Sequence, residues 1–234
     1  MTRQTLKAAF FKSVPVMAGY LIIGLGFGIL LRDAGYGVLW AAAMSVLIYA
    51  GAMQYVGVGL IAGGAGLLSA AVATLAVNAR HLFYSLSMVD VYRGAGKKRP
   101  YLIFALTDET YSLLCDGAAP AGTDPHAYRL LVSLFNHCYW IIGSVAGNLL
   151  GDVVPFSTAG IEFSMTALFV ATFVSQWKAG KSHIPAVVGV LCSVGSLLLF
   201  GPEHFLIPAM LLITLALFLL KNKLPPKEDA TDEA

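Results

Sequence analysis

Four short polar segments stand inside apolar surroundings: Asn78-Ala79-Arg80-His81, Thr107-Asp108-Glu109-Thr110, Asn136-His137 and Gln54. An ionisable side chain at the middle of a bilayer costs roughly 2.5–3.5 kcal/mol on insertion scales, so such groups mark a use. Arg80 is a permanent cation with a planar set of donors that matches a carboxylate. Asp108 and Glu109 can accept from an ammonium group. Either can also trade a proton with His81, since imidazole titrates near neutrality. Two adjacent carboxylates in lipid repel each other unless a cation pairs with them, and Arg80 is the intramembrane cation to test. Gln54 and Asn136 add amides. For Asn136, a site role and an interhelical bond worth ~0.6 kcal/mol fit equally.

Helical spacing sorts these groups. At 100° per residue, Thr74, Asn78, His81 and Ser85 fall in a stripe about 60° wide, with Arg80, Tyr84 and Ser87 on another side. One stripe lines an aqueous path while the other meets a partner helix, or the helix unwinds near Asn78 and all three polar side chains turn to one site. The bland alternative has Arg80 reaching to an interface and His81 as a satisfied core group. Asp108, Tyr111, Ser112 and Cys115 share a face and Glu109 points elsewhere, unless this centre is an interfacial loop. Asn136, Trp140, Gly143 and Gly147 lie on one side of their block.

The elements that position these residues are apolar. The chain has 234 residues, 58% hydrophobic and 12% charged. Soluble domains carry roughly a quarter charged residues, so a soluble globule, disorder, a collagen-like repeat and a coiled coil are excluded. A net charge of +2 with no basic-aromatic surface argues against nucleic acid. Eight apolar blocks follow one another: Val14–Leu31, Val38–Ile61, Leu67–Val89, Tyr101–Cys115, Leu130–Leu150, Ile161–Trp177, Ile184–Phe200 and Phe205–Leu220. A lipid-exposed backbone must satisfy its own hydrogen bonds, and no barrel-type alternation is present. The expectation is an all-α polytopic integral membrane protein with about six to eight transmembrane helices. Residues 1–12 and 221–234 read as cytoplasmic tails around one transmembrane transport domain, 13–220. The basic start leads into an apolar run without a clear cleavage site, so it is read as a retained helix.

Basic residues mark topology. Apart from Arg32, Arg80 and Arg129, they cluster at Arg3 to Lys12, Arg93 to Arg99, Lys178 with Lys181, and Lys221 to Lys227. Three blocks separate the first two clusters. If both clusters face the cytoplasm, one block does not cross. Val38–Ile61 is the candidate, folded as two half-length arms with the bend at Gly51 to Gln54, a broken or re-entrant segment. The same parity recurs before Lys178 and Lys181, unless those two lie outside. Paired interruptions point to a transporter site built from broken helices. Gly143, Gly147 and Gly151, with Gly24 and Gly28, form small-residue ladders for close helix packing, within the chain or against a second subunit. Cys115, Cys138 and Cys192 give no disulfide or metal pattern. No metal or cofactor is expected.

These motifs in this order resemble the AzlC family, the large subunits of bacterial branched-chain amino-acid exporters. The match is carried by Val77-Asn78-Ala79-Arg80-His81-Leu82-Phe83-Tyr84-Ser85 and Leu106-Thr107-Asp108-Glu109-Thr110-Tyr111. Gly51 with Gln54, and Phe163-Ser164-Met165-Thr166-Ala167-Leu168-Phe169-Val170, also fit. The resemblance implies a small AzlD-type membrane subunit as partner. It also implies valine, leucine, isoleucine or methionine as cargo, exported across the inner (plasma) membrane.

A zwitterion with an apolar tail needs a cation or open N–H groups for its carboxylate, an acid for its ammonium, and an apolar pocket. Arg80, together with the bend near Gln54, and Asp108 or Glu109 are the residues for those roles. Protons, moved through Asp108, Glu109 or His81, are the candidate coupling ion. No phosphate-binding Gly-x-x-x-x-Gly-Lys-Ser/Thr loop is present, so the chain itself is not an ATPase. An enzyme would need His81 with Ser85 and is not expected. A channel and a non-transporting scaffold subunit remain the alternatives.

Overall fold

The computed structural model describes residues 2–115, 117–151, 170, 173–174, 177–178 and 182–220. The Phe163–Phe169 part of the family motif, Lys181 and the 221–234 tail lie outside the described residues. Helices and turns make up the described chain, with no strand among the described residues. The chain divides into two compact units, Met1–Ala167 and Leu168–Ala234.

In the first unit, α1 (Arg3–Asp33) is a single helix of 31 residues. Thr2 caps it by accepting from the Thr5 N–H, and Gly35 beyond its end adopts φ +89°. The basic segment ahead of the first apolar block is therefore helical too. The other long element is α8 (Pro125–Leu150), begun by an Asp124 cap and a proline in the first turn. At 1.5 Å per residue both exceed the roughly 30 Å hydrocarbon core.

Between them the chain is chopped into short helices: α2 (Val38–Leu47), α3 (Gly51–Ala62), α4 (Leu67–Asn78), α5 (Arg80–Ser87), α6 (Arg99–Phe104) and α7 (Asp108–Leu114). The expected bend in Val38–Ile61 is present, but it sits at Ile48 to Ala50 rather than at Gly51 to Gln54, which form the first turn of α3. Tyr49 makes the break, with φ +44°. Sequence inspection pointed to the small residues, whereas the backbone turns at an aromatic one held by its ring contacts. Arms of 10 and 12 residues span about 15 and 18 Å, so neither crosses a bilayer alone.

The largest helix contact pairs α1 with α8, and the two glycine ladders face each other across it. A Cβ on Gly28 would collide with the backbone of Ser144, Gly147 and Asn148, and one on Gly147 with the backbone of Leu25. One on Gly143 would come within 2.9 Å of the Tyr20 carbonyl oxygen. The ladders thus serve packing within the chain. Asn148 locks the seam by donating to the carbonyls of Gly28 at 3.1 Å and Tyr36 at 2.9 Å.

In the second unit, α9 (Ile184–His204) kinks at Gly201, where φ is +73°, and α10 (Leu206–Leu219) follows. Its apolar side chains, among them Leu198 and Leu199, are largely exposed, as a lipid-facing helix requires. His183 stacks on Trp177 with ring centroids 4.1 Å apart.

Candidate functional site

Two breaks face each other in the first unit. The first separates α4 from α5 at Ala79; the second separates α6 from α7 at Ala105 to Thr107. Ala79 keeps helical angles (φ −53°, ψ −32°), so the first break is a kink. His81 Nδ1 lies 3.1 Å from the Asn78 carbonyl oxygen there. At the second, Thr107 caps α7 by accepting from the Thr110 N–H, and Asp108 and Glu109 occupy the first turn, where negative charge is favoured.

The kinked helices meet through an ion pair. Arg80 Nη1 lies 2.8 Å from Asp108 Oδ2, with the two side chains 27% and 20% exposed. Tyr84 stacks on Tyr111 at 4.8 Å between centroids. One turn on, Ser87 Oγ donates to the Tyr111 hydroxyl at 3.2 Å. The stripe of Arg80, Tyr84 and Ser87 therefore packs on α7 through the Asp108 and Tyr111 face. Asp108 Oδ1 and Asn78 Oδ1 are buried without a hydrogen-bond partner.

Glu109 turns the other way, toward α1. The Tyr20 hydroxyl donates to its Oε2 at 2.7 Å and meets Thr107 Oγ1 at 2.6 Å. Thr107 Oγ1 donates to Thr110 Oγ1 at 3.1 Å, and Asn136 Nδ2 donates to the same atom at 3.1 Å. Asn136 is wholly buried, and its Oδ1 has no partner. Gln54 belongs to a third cluster. Trp140 Nε1 donates to its Oε1 at 2.9 Å, and Gln54 Nε2 is left unpaired. Because indole N–H can only donate, this contact fixes which way the amide points. Tyr20 joins the last two clusters, its ring 5.5 Å from that of Trp140.

The structure thus brings Arg80, Asp108, Asn78 and His81 together around one pair of breaks. It places Glu109 and Asn136 in a hydroxyl network beside them, and Gln54 against α8. His137 has a scaffold position. Its Nε2 lies 3.0 Å from the Ser45 carbonyl at the end of α2, and its ring stacks on Tyr49 at 4.1 Å. Sequence reasoning missed Tyr20, Tyr49 and Arg129. Arg129 donates to the carbonyls of Val91 and Gly117 and so ties the loops on either side of α6 and α7. Its isolation from the basic clusters was the signal available.

A family model described as AzlC protein matches residues 15–154, from within α1 to past the end of α8. The chain belongs to the AzlC family. Among its relatives, a Bacillus subtilis protein named branched-chain amino acid transport protein AzlC is 41% identical over 222 residues, covering 95% of this chain and 87% of that one. A membrane protein of Haemophilus influenzae is 40% identical over 225 residues, 96% of this chain and 92% of that one. The Escherichia coli inner membrane protein YgaZ is 27% identical over 196 residues, 78% of each chain. No solved structure matches the chain. With these relatives and its apolar helices, this member of the family is an all-helical polytopic membrane protein. Arg80, Asp108, Glu109, Gln54 and Asn136 all fall inside the matched span.

Proposed function

We propose that the chain is the large subunit of a secondary carrier that exports valine, leucine, isoleucine and methionine across the inner membrane, together with a small AzlD-type membrane subunit. The observation that carries this reading is the Arg80–Asp108 pair, 2.8 Å long and shared between two broken helices. A zwitterion is its chemical complement. The substrate carboxylate takes donors of the Arg80 guanidinium, and the ammonium takes Asp108, whose Oδ1 has no partner. One internal pair is exchanged for two pairs with cargo, so no lone charge is left in low dielectric at any stage. Closing the pair again after release resets the site. The name of the Bacillus subtilis relative supports the cargo class.

The test is counterflow of labelled valine in proteoliposomes holding the chain with its small partner. Saturable counterflow that is lost in Arg80→Ala and Asp108→Ala supports the carrier. Linear, non-saturating flux indicates a channel. Normal transport by both variants indicates a scaffold and overturns the proposed site.

A further inference from the structure

The start of α3 carries hydrogen-bond donors that have no partner among the described residues. The first bond within the helix runs from the Gln54 N–H to the Ala50 carbonyl at 2.8 Å. The N–H groups of Gly51, Ala52 and Met53 precede that bond, so no carbonyl of the helix reaches them. No side chain caps this end. Free N–H groups at the positive end of a helix dipole suit an anion.

An independent observation lies one turn in. Gln54 is wholly buried, and its Nε2 has no hydrogen-bond partner. Helical side chains lean toward the N-terminus, so the fourth residue of a helix overlies the first. Trp140 holds the amide there. Its Nε1 donates to Gln54 Oε1 at 2.9 Å, and its Cη2 would stand 3.2 Å from a Cβ on Gly51. One indole thus touches both the amide and the helix start, and the amide nitrogen is left for a further acceptor. The Tyr49 hydroxyl, at the same break, is also buried without a partner. Gly51 and Ala52 are only partly buried, so the helix start is reachable. A buried amide nitrogen without an acceptor is costly, a cost that a bound carboxylate removes.

We propose that the start of α3 and Gln54 Nε2 form a carboxylate-binding subsite, a second place for the carboxylate of the cargo besides Arg80. The proposal rests on the transport reading above and adds the break between α2 and α3 to the path. An inorganic anion would meet the same donors, but the charge across the break favours a zwitterion. The Tyr49 ring lies 6.3 Å from that of Phe104 at the end of α6 and 6.4 Å from that of Tyr20. Tyr20 in turn donates to Glu109 Oε2. A carboxylate beyond those rings repels a bare anion and attracts an ammonium group.

The amide itself reports the test. The chain has three glutamines, Gln4, Gln54 and Gln176. Isotope labelling of their side-chain nitrogens, in the complex with the small partner, gives amide resonances of which Gln4→Ser and Gln176→Ser leave the Gln54 pair. Valine should move the Gln54 amide protons downfield, and so should acetate at higher concentration. Valinol, which has the ammonium but no carboxylate, should leave them in place. No movement with valine bound at saturation overturns the proposal. Movement with chloride but not acetate overturns it in favour of an inorganic anion. Equilibrium binding of labelled valine is the second readout. Gln54→Leu should raise the dissociation constant at least about tenfold, and Trp140→Phe, which keeps the free amide nitrogen, much less. Equal loss in both gives Gln54 a structural role and overturns the proposal. A wild type that binds no valine defeats the transport reading, a separate result, and acetate then decides whether the carboxylate subsite exists.

Discussion

The α1–α8 seam and the α4–α7 region solve opposite problems. The seam joins two unbroken helices of 31 and 26 residues at glycine positions where backbone meets backbone. Backbone lies against backbone there, which leaves no room to slide. The α4–α7 region is built of helices of 12, 8, 6 and 7 residues, joined at kinks and crossed by an ion pair and short aromatic and hydroxyl contacts. Lipid gives no hydrophobic drive for helix association, so close packing must fix a rigid frame. Polar contacts that can be exchanged for substrate belong where the helices are short. With the proposed site, the contrast teaches that rigidity and cargo exchange would be assigned to different parts of the same unit.

The comparison breaks most visibly at the seam. Gly147→Val would drive a side chain into the Leu25 backbone and should cost more than about 3 kcal/mol, since overpacking against backbone has no soft relief. The purified protein should lose its monodisperse peak in detergent. Gly19→Ala on the same helix has nothing within 4 Å and should leave the peak intact; equal damage from both would contradict the packing account. Next is Arg80→Ala, expected to lower valine transport more than tenfold with a smaller loss of stability, because the pair is partly exposed and partly screened. A thermal midpoint that falls as far as in Gly147→Val would erase the distinction between frame and site. Trp140→Phe removes the one donor on Gln54 Oε1 and should cost about 1–3 kcal/mol in denaturant unfolding. The smallest effect is at Asp124, the exposed cap of α8, whose carboxyl is held below its usual range by the hydrogen bond from Lys98, with a further one from the His126 N–H. A depressed carboxyl stabilises above its unfolded pKa, near 3.9, and the contribution disappears as pH falls through the lower folded value. The midpoints of wild type and Asp124→Ala should therefore differ at pH 7 and converge in acid.

Charge and small residues were legible in the sequence because lipid makes both expensive or conspicuous. Arg80, the acidic pair and both glycine ladders stand out, and helical phase correctly separated Asp108 from Glu109. The division of Val38–Ile61 into arms followed from charge parity, but its position missed by a few residues, since nothing local marks Tyr49 as left-handed. Tyr20 was invisible for a different reason. A tyrosine in an apolar helix is ordinary, and only the 87-residue sequence separation closed by its bond to Thr107 makes it part of a network. Gln54 was read as a bend residue, and its bond to Trp140, 86 positions away, has no trace in spacing. Local chemistry shows which groups are costly; which group answers them is decided by tertiary contact.

Tyr49 has one more implication. Among the described residues it is the single non-glycine with positive φ, an arrangement of order 1–3 kcal/mol above relaxed backbone that persists only when its neighbours enforce it. A glycine there would make a slack joint with many rest angles. A buried ring wedged on His137 takes up that slack and gives the two arms a single rest angle.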